Sequence, residues 1–248
     1  MTLLQVEDLH KRFGGLQAIT GISLQVPAGQ LLGMIGPNGA GKTTLLNLVT
    51  GYLKPTRGRI FFAGSPISGL PPYRISALGV SRTFQIVQPF HEMTVAENVV
   101  VGSLFLSHRH RPIAEVRRLA EGPLETVGLQ HRAADLAGSL TFGEKKQLEL
   151  ARALASQPRL LLLDEVMSGL NQAEIDAMCE IVRRVHRTGT TVIMIEHLVP
   201  VILALCERVL VLDFGRELFQ GTAEEVMRHP EVIASYLGKP RDAAVPAD

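Results

Sequence analysis

The chain has 248 residues, 46% of them apolar, and 25 basic side chains nearly balance 24 acidic ones for a formal net charge of +1. This length and apolar content allow a sizeable core, and the balanced charge does not suggest a nucleic-acid partner. The N-terminus does not look like a secretory signal and the longest apolar run, 198–206, is too short to cross a bilayer, so we expect a soluble chain whose membrane role, if any, comes through a partner.

Short apolar segments alternate with amphipathic helical patterns along the chain. Residues 22–26 alternate like a half-buried strand, whereas 30–35 and 159–163 are continuous apolar runs typical of strands buried on both faces. Residues 190–195 predict another buried strand. The helix before it carries one apolar stripe, formed by Ile175, Met178, Cys179, Val182 and Val185. This alternation predicts an α/β fold with a mainly parallel sheet, to which the leading segment adds an antiparallel β portion.

The pattern changes in the middle of the chain. Residues from about 89 to 157 carry helical patterns and no convincing strand. We therefore predict a helical lobe at 89–157, inserted into an α/β core formed by 1–88 and 158–238. The ending, 239–248, has proline, alanine and charge without an apolar period, and we expect a flexible tail.

The segment GPNGAGKTT satisfies the pattern G-x-x-x-x-G-K-[ST] between a predicted buried strand and a predicted helix. Its glycines allow backbone N–H groups to surround phosphate oxygens, and the helix N-terminus adds partial positive charge. Lys42 is expected to reach the β- and γ-phosphates, and the Thr43 hydroxyl to bind Mg²⁺. The predicted phosphate site consists of Gly36, Pro37, Asn38, Gly39, Ala40, Gly41, Lys42, Thr43 and Thr44.

Two acidic residues follow the leucines of the predicted strand at 159–163. Successive strand side chains point in opposite directions, so Asp164 and Glu165 are expected to have different tasks. If this strand neighbours the phosphate-loop strand, Asp164 can face Mg²⁺ and Glu165 can act on the attacking water as a general base. His197 follows another buried strand, and we expect it at the same edge of the sheet.

The segment LTFGE, residues 140–144, opens a predicted helix. Thr141 and Glu144 fit a capping box, in which each side chain accepts a hydrogen bond from a free backbone N–H at the helix start. Gly143 lies in the first turn, where alanine would be more favourable by about 1 kcal/mol. Capping therefore does not explain this glycine.

The phosphate loop, the Asp-Glu pair, the downstream histidine and LTFGE occur together in the order typical of ATP-binding subunits of ABC transporters, which the chain resembles over about residues 3 to 238. The resemblance implies a P-loop NTPase (RecA-like) core with the inserted helical lobe, binding ATP and Mg²⁺. It implies that Phe13 stacks on adenine and that Gln85 binds Mg²⁺ and senses the γ-phosphate. It implies that Glu165 is the catalytic base and that His197 binds the γ-phosphate and the attacking water. Lys42 is the further residue expected to take part in catalysis.

The resemblance also assigns LTFGE to an ATP bound by a second subunit. Thr141, Gly143 and Glu144 are then expected beside that nucleotide, with Gly143 bare so that the nucleotide can approach the backbone and Glu144 swinging aside on closure. Phe142 is bulkier than usual and should point away from the nucleotide. Val166 stands where proline is usual after the Asp-Glu pair, and we still expect an active ATPase.

Within that family, the segments 82–99, 168–171, 195–197 and 221–238 are most similar to an ATPase subunit of branched-chain amino acid importers, a subfamily shared with other amide or carboxylate uptake systems. The resemblance implies a second ATPase subunit in a heterodimer, with a homodimer as the alternative. It also implies transmembrane permease subunits, an indirect solute-binding protein, and a place at the cytoplasmic face of the inner (plasma) membrane. An ABC exporter, a soluble ABC-type ATPase and a small-molecule phosphotransferase are the alternatives.

Overall fold

The structure is a computed structural model that describes residues 1–84, 88–103 and 118–237. Two β-sheets and a set of helices make up this part of the chain. In chain order the strands are β1 Thr2–Phe13, β2 Leu16–Pro27, β3 Leu31–Ile35, β4 Arg57–Phe62, β5 Ser65–Pro66, β6 Val80–Arg82, β7 Leu160–Asp164, β8 Thr191–Ile195, β9 Arg208–Asp213 and β10 Arg216–Gly221.

The helices lie between and after these strands. They are α1 Lys42–Val49, α2 Pro72–Ala77, α3 Val95–Ser103, α4 Glu121–Val127, α5 Phe142–Leu154, α6 Gln172–Arg187, α7 Val199–Leu205, α8 Ala223–Arg228 and α9 Pro230–Val232. Short 3₁₀ turns occupy 130–132 and 137–139, and a π-helical turn covers 233–237. Among the described residues, no helix combines the length and hydropathy needed to span a bilayer.

The larger sheet has the strand order β10-β9-β3-β8-β7-β6, and all of its neighbours pair in parallel except β9 and β10. The smaller sheet, β2-β1-β4-β5, is antiparallel throughout. The mainly parallel sheet and the antiparallel portion predicted from the sequence are thus confirmed. Strand β7 does not lie beside the phosphate-loop strand β3, because β8 pairs with both. The adjacency on which the Asp164 prediction depended was therefore wrong.

Alternation along the buried strands divides the core into two clusters. Leu160 and Leu162 of β7 point into a cluster between the two sheets, which also holds the apolar face of α1. Leu161 and Leu163 point to the opposite face, where they join the apolar residues of α3, α5 and α6. A strand buried on both faces therefore needs apolar side chains at every position, which explains the unbroken leucine run.

Helix α6 buries the predicted stripe, formed by Ile175, Met178, Cys179, Val182 and Val185. Both cysteines, Cys179 and Cys206, are buried and free. Helices α3, α4 and α5 occupy the region assigned to a helical lobe. The division into core, lobe and tail stays a prediction, and residues 239–248 lie outside the described part of the chain.

Candidate nucleotide site

The phosphate loop follows strand β3, and helix α1 begins within it at Lys42. Gly41 precedes the helix with φ 100°, and Gly36 has φ 150°, both in the region that favours glycine. A β-carbon on Gly36 would lie only 2.1 Å from the Leu212 carbonyl oxygen of β9. The loop therefore requires glycine at these two positions, both for backbone conformation and for its close approach to the sheet.

Lys42 is folded back onto this loop. Its Nζ donates to the Gly36 carbonyl at 2.6 Å and to the Pro37 carbonyl at 3.0 Å. Burial lowers the pKa of Lys42, while the nearby Glu165 and Asp164 act in the opposite direction. A phosphate oxygen entering the loop would offer this ammonium a charged acceptor in place of two carbonyls.

A cleft of about 440 Å³ opens beside the loop. Its lining comprises Phe13, Leu16, Gln17, Ala18, residues 38–44, Glu165 and Phe214. Phe13 is half exposed, and the Lys11 ammonium lies 4.8 Å from its ring centroid. Phe214 is 85% exposed and was missed in the sequence analysis. Its position just after β9, at the same carboxyl edge as the other site residues, is the signal that could have found it.

The Glu165 side chain reaches His197 across the ends of β7 and β8. Glu165 Oε1 and His197 Nε2 are 2.9 Å apart, with His197 the more exposed of the two. The backbone of Glu165 has φ 53°, a left-handed conformation that costs a non-glycine residue roughly 1–2 kcal/mol. Its N–H donates to the Ile195 carbonyl at 2.9 Å, which helps to hold this conformation. The structure thus brings together two residues that the pattern placed at one edge of the sheet and that the family resemblance assigns to the attacking water.

Asp164 is buried and forms an ion pair with Arg82, whose Nη2 lies 2.6 Å from Asp164 Oδ2. Arg82 also donates to the Asn47 side chain, while its Nε has no hydrogen-bond partner among the described residues. The sequence analysis missed this arginine because an Arg three residues before Gln85 carries no signal of its distant partner. Gln85 itself lies outside the described residues.

We predict that Arg82→Met lowers the free energy of unfolding by about 3–5 kcal/mol, because it leaves the Asp164 carboxylate buried without its cation. Urea denaturation of the purified chain measures this loss. The double variant Arg82→Met with Asp164→Asn removes the orphaned charge and should recover much of it. A loss below about 1 kcal/mol in the single variant would show that the pair contributes little to stability.

Helix α5 begins with the predicted capping box, which is confirmed. The Thr141 hydroxyl accepts the Glu144 backbone N–H at 3.3 Å, and the Glu144 carboxylate accepts the Thr141 N–H at 2.8 Å. Arg132 donates to the other Glu144 oxygen at 2.8 Å. The negative charge at the helix start is therefore already paired within the chain.

Gly143 lies against α6 of its own chain. A β-carbon there would be 2.5 Å from Glu174 Oε1, too close for an ordinary contact. Glu174 is itself engaged, since its other oxygen accepts the Asn171 N–H at 2.9 Å in a second capping box. A side chain at Gly143 would therefore have to displace the end of the Glu174 side chain, a contact inside the subunit that the sequence analysis did not foresee.

Helix α5 also contacts the loop that follows β7. A β-carbon on Gly169 would lie 3.0 Å from Phe142 Cε1, so this ring lies against the glycine of the SGLN segment. Lys146 has its Nζ 5.7 Å from the Phe142 ring centroid and 3.3 Å from the Glu165 carbonyl oxygen. The segment 140–144 does not line the phosphate cleft of its own chain.

Comparison with known proteins shows which families the chain is related to. Residues 19–168 match the family described as ABC transporter, and residues 216–242 match the family described as branched-chain amino acid ATP-binding cassette transporter. The chain is 39% identical to the high-affinity branched-chain amino acid transport ATP-binding protein BraF of Pseudomonas aeruginosa, over 96% of this chain and 98% of BraF. It is 38% identical to LivG of Escherichia coli K12, a protein of the same description, over the same shares of the two chains.

The fold of this chain is also similar to that of a solved structure. The crystal structure of an ATP-binding cassette of an ABC transporter in its ADP conformation superposes with a TM-score of 0.86 at 30% sequence identity, covering 96% of this chain and all of the other.

Proposed function

The chain belongs to the ABC transporter family as an ATP-binding and ATP-hydrolysing subunit, and we propose that it drives the import of branched-chain amino acids or related amide or carboxylate solutes. The similarity to BraF and LivG over nearly the whole chain supports the cargo class. For hydrolysis, the observation that carries the proposal is the 2.9 Å contact of Glu165 with His197, at the cleft where Glu165 and Lys42 both line the wall.

ATP binding uses the phosphate loop and the aromatic rim of the cleft. Backbone N–H groups of 36–44 and the N-terminus of α1 surround the phosphates, and Lys42 exchanges its carbonyl partners for β- and γ-phosphate oxygens. Phe13 stacks on the adenine. Its 43% exposure leaves ring surface available at the mouth of the cleft.

The donor atoms near the loop fit Mg²⁺, which prefers hydroxyl and carboxylate oxygens. Thr43 and Asp164 supply such oxygens, and both line the groove that runs beside the phosphate loop. We propose that these two residues hold the ion together with phosphate oxygens, and that Gln85 is a further ligand. When bound, the ion neutralises charge on the phosphates.

Hydrolysis then depends on the pair at the ends of β7 and β8. Glu165 accepts the proton of the attacking water, and His197 holds Glu165 and the γ-phosphate in a fixed relation. Lys42 stabilises negative charge that moves onto the phosphate oxygens. Because phosphoryl transfer needs mainly positioning and charge stabilisation, these three groups account for the chemistry expected of the site.

The segment 140–144 lies outside the lining of the cleft. We propose that the LTFGE segment of a second ATPase subunit covers the bound ATP, in a heterodimer or, alternatively, a homodimer. The bare backbone at Gly143 and the start of α5 would then face the γ-phosphate. The capping box and Arg132 hold Glu144, so closure must displace this carboxylate if it faces the nucleotide.

The groove that Thr43 and Asp164 line has a volume of about 970 Å³, and we propose that its aromatic wall also binds a permease subunit. Its wall carries exposed aromatic residues, namely Tyr52, Tyr73, Phe84 and Phe90, together with the buried Glu149 and the half-buried Arg152 of α5. Glu149 accepts the Phe84 N–H, and Arg152 donates to the Gln88 carbonyl, so α5 is bonded to both ends of the segment that contains Gln85. A permease subunit bound in this groove would therefore act on both the core, 1–88 and 158–238, and the lobe, 89–157.

In this arrangement the chain sits at the cytoplasmic face of the inner (plasma) membrane through its permease subunits. A solute-binding protein delivers the cargo on the other side and does not contact this chain. Nothing in the charge balance calls for a nucleic-acid partner.

Phe90→Asp is predicted to uncouple transport, because it replaces an exposed apolar ring on the wall of the proposed permease groove with a carboxylate that the Arg152 guanidinium can pair. In vesicles containing the complete transporter and its solute-binding protein, leucine uptake should fall at least tenfold while basal ATP hydrolysis stays within about twofold. Phe61→Asp is the matched control, since Phe61 lies on β4 of the antiparallel sheet, outside this groove, and its ring also contacts an arginine, Arg59. Normal uptake by Phe90→Asp would refute the assignment of the groove, and ATP hydrolysis without uptake of any branched-chain amino acid would refute the cargo.

A further inference from the structure

Two loops at the carboxyl edge of the large sheet are joined by successive hydrogen bonds. The Glu165 N–H donates to the Ile195 carbonyl at 2.9 Å, and the Met167 N–H donates to Glu196 Oε1 at 2.8 Å. The side chains of Glu165 and His197 meet at 2.9 Å. Glu196 is thus the middle member of a set that fixes one loop against the other, and the mechanism above assigns it nothing.

Glu196 is only 2% exposed, although it lies between the end of β8 and the exposed His197. The groups that face it are the Glu165 carboxylate, the Lys146 ammonium, the backbone N–H groups of Met167 and His197, and the Cys179 thiol of α6. Burial, first, and the charge of Glu165 raise the pKa of Glu196 to about 7, while the two N–H groups and Lys146 oppose the shift.

A residue that only accepted this hydrogen bond for structural reasons would not need to carry a carboxyl group. A neutral amide oxygen can accept the Met167 N–H without placing a second acid beside the proposed base. A carboxyl at this site changes charge near neutral pH, and only its ionised form makes a charge-assisted bond to the loop. The feature that distinguishes Glu196 from a neutral residue is therefore the strength with which it holds residues 165–167.

We propose that Glu196 is a positioning residue for ATP hydrolysis, which holds the loop carrying Glu165 through the Met167 N–H and holds it more firmly when ionised. This inference rests on the proposed role of Glu165 as the base. A loop held in this way keeps Glu165 within reach of both His197 and the attacking water. Turnover should accordingly rise as the pH passes upward through about 7.

The test compares Glu196→Gln and Glu196→Ala with the wild-type chain, each in the same assembled transporter, by ATP turnover between pH 6 and pH 8.5 and by ATP affinity. Glu196→Ala orphans the buried Met167 N–H and should lower kcat about tenfold with unchanged ATP affinity. Glu196→Gln keeps an acceptor but cannot ionise, so its kcat should stay near the low-pH value of the wild type. His197 is present in all of these proteins, so the difference between the wild type and Glu196→Gln isolates the effect of Glu196.

Two readouts do not depend on turnover. In infrared spectra of the purified chain, the C=O band of a protonated buried carboxyl should vanish as the pH rises through about 7, and this band should be missing from Glu196→Gln. Since folding raises the pKa of Glu196, its stabilising effect is complete below the unfolded value of 4.5 and is lost as the pH rises through 7. As the pH rises from 4.5 to 7, the thermal midpoint of Glu196→Gln should therefore rise relative to that of the wild type.

The matched control is Glu180→Gln, which neutralises an exposed acid on α6 and should leave turnover and its pH profile unchanged. If Glu196→Gln and Glu196→Ala both hydrolyse ATP with the wild-type rate and pH profile, the inference is wrong. A Glu196→Gln profile that still parallels the wild type also overturns it, even if Glu196→Ala is slow. If the wild-type transporter itself does not hydrolyse ATP, the proposed function fails instead.

Discussion

Glu165→Gln is expected to bind ATP normally and to hydrolyse it at least about 100-fold more slowly than the wild type. Glutamine preserves the size of the side chain and can still bond to His197, so the closed geometry survives. It cannot take the proton from the attacking water. Phosphate release at saturating ATP measures turnover, and a fluorescent ATP analogue measures binding.

The control for Glu165→Gln is again Glu180→Gln, which changes the net charge by the same amount away from the cleft. Hydrolysis at the normal rate by Glu165→Gln would remove Glu165 from the position of general base. Loss of ATP binding instead would indicate that the carboxylate chiefly organises the empty loop, where it lies close enough to influence Lys42.

Gly143→Ala is the second variant with a large expected effect, a loss of turnover of roughly 100-fold. Within the chain the added methyl group meets only the far end of the flexible Glu174 side chain, and alanine favours the helix by about 1 kcal/mol. The variant should therefore fold. The loss is expected because the methyl group would stand between the start of α5 and the γ-phosphate held by the other subunit.

A double variant separates the two reasons for a glycine at this position. Glu174→Ala removes the in-chain obstacle to a side chain at Gly143 and costs about 1 kcal/mol through the lost capping box of α6. If the nucleotide of a second subunit requires the bare backbone, Gly143→Ala with Glu174→Ala stays inactive. Restored turnover in the double variant would show that the contact with Glu174 alone demands glycine.

The parts of the fold that the sequence predicted well are those set by local pattern. Short unbroken apolar runs are typical of strands buried on both faces, and the structure places alternate leucines of β7 in two different clusters. The capping box at Thr141 was equally predictable, since both of its bonds lie within four residues. Such features need no knowledge of the partner element.

Features that depend on distant partners were not predictable in the same way. The insertion of β8 between β3 and β7 follows from the sheet order, which no single strand encodes. The pair of Arg82 with Asp164 joins residues 82 positions apart, and neither neighbourhood reveals the other. Nothing in the pattern around residues 190–195 indicated that the folded chain buries Glu196 against Met167. Which charged side chains pair in this site therefore depends on the tertiary structure and cannot be inferred from the local sequence.

The most direct test of the central claim, that two subunits complete each ATP site, is the mass of the Glu165→Gln chain by sedimentation with Mg²⁺ and ATP. It is measured alone and with the ATPase subunit that co-purifies with it. The account predicts that ATP converts single chains into a two-subunit species carrying bound nucleotide, and that adding Gly143→Ala weakens this conversion. A chain that binds ATP yet keeps the mass of one subunit under both conditions would contradict it.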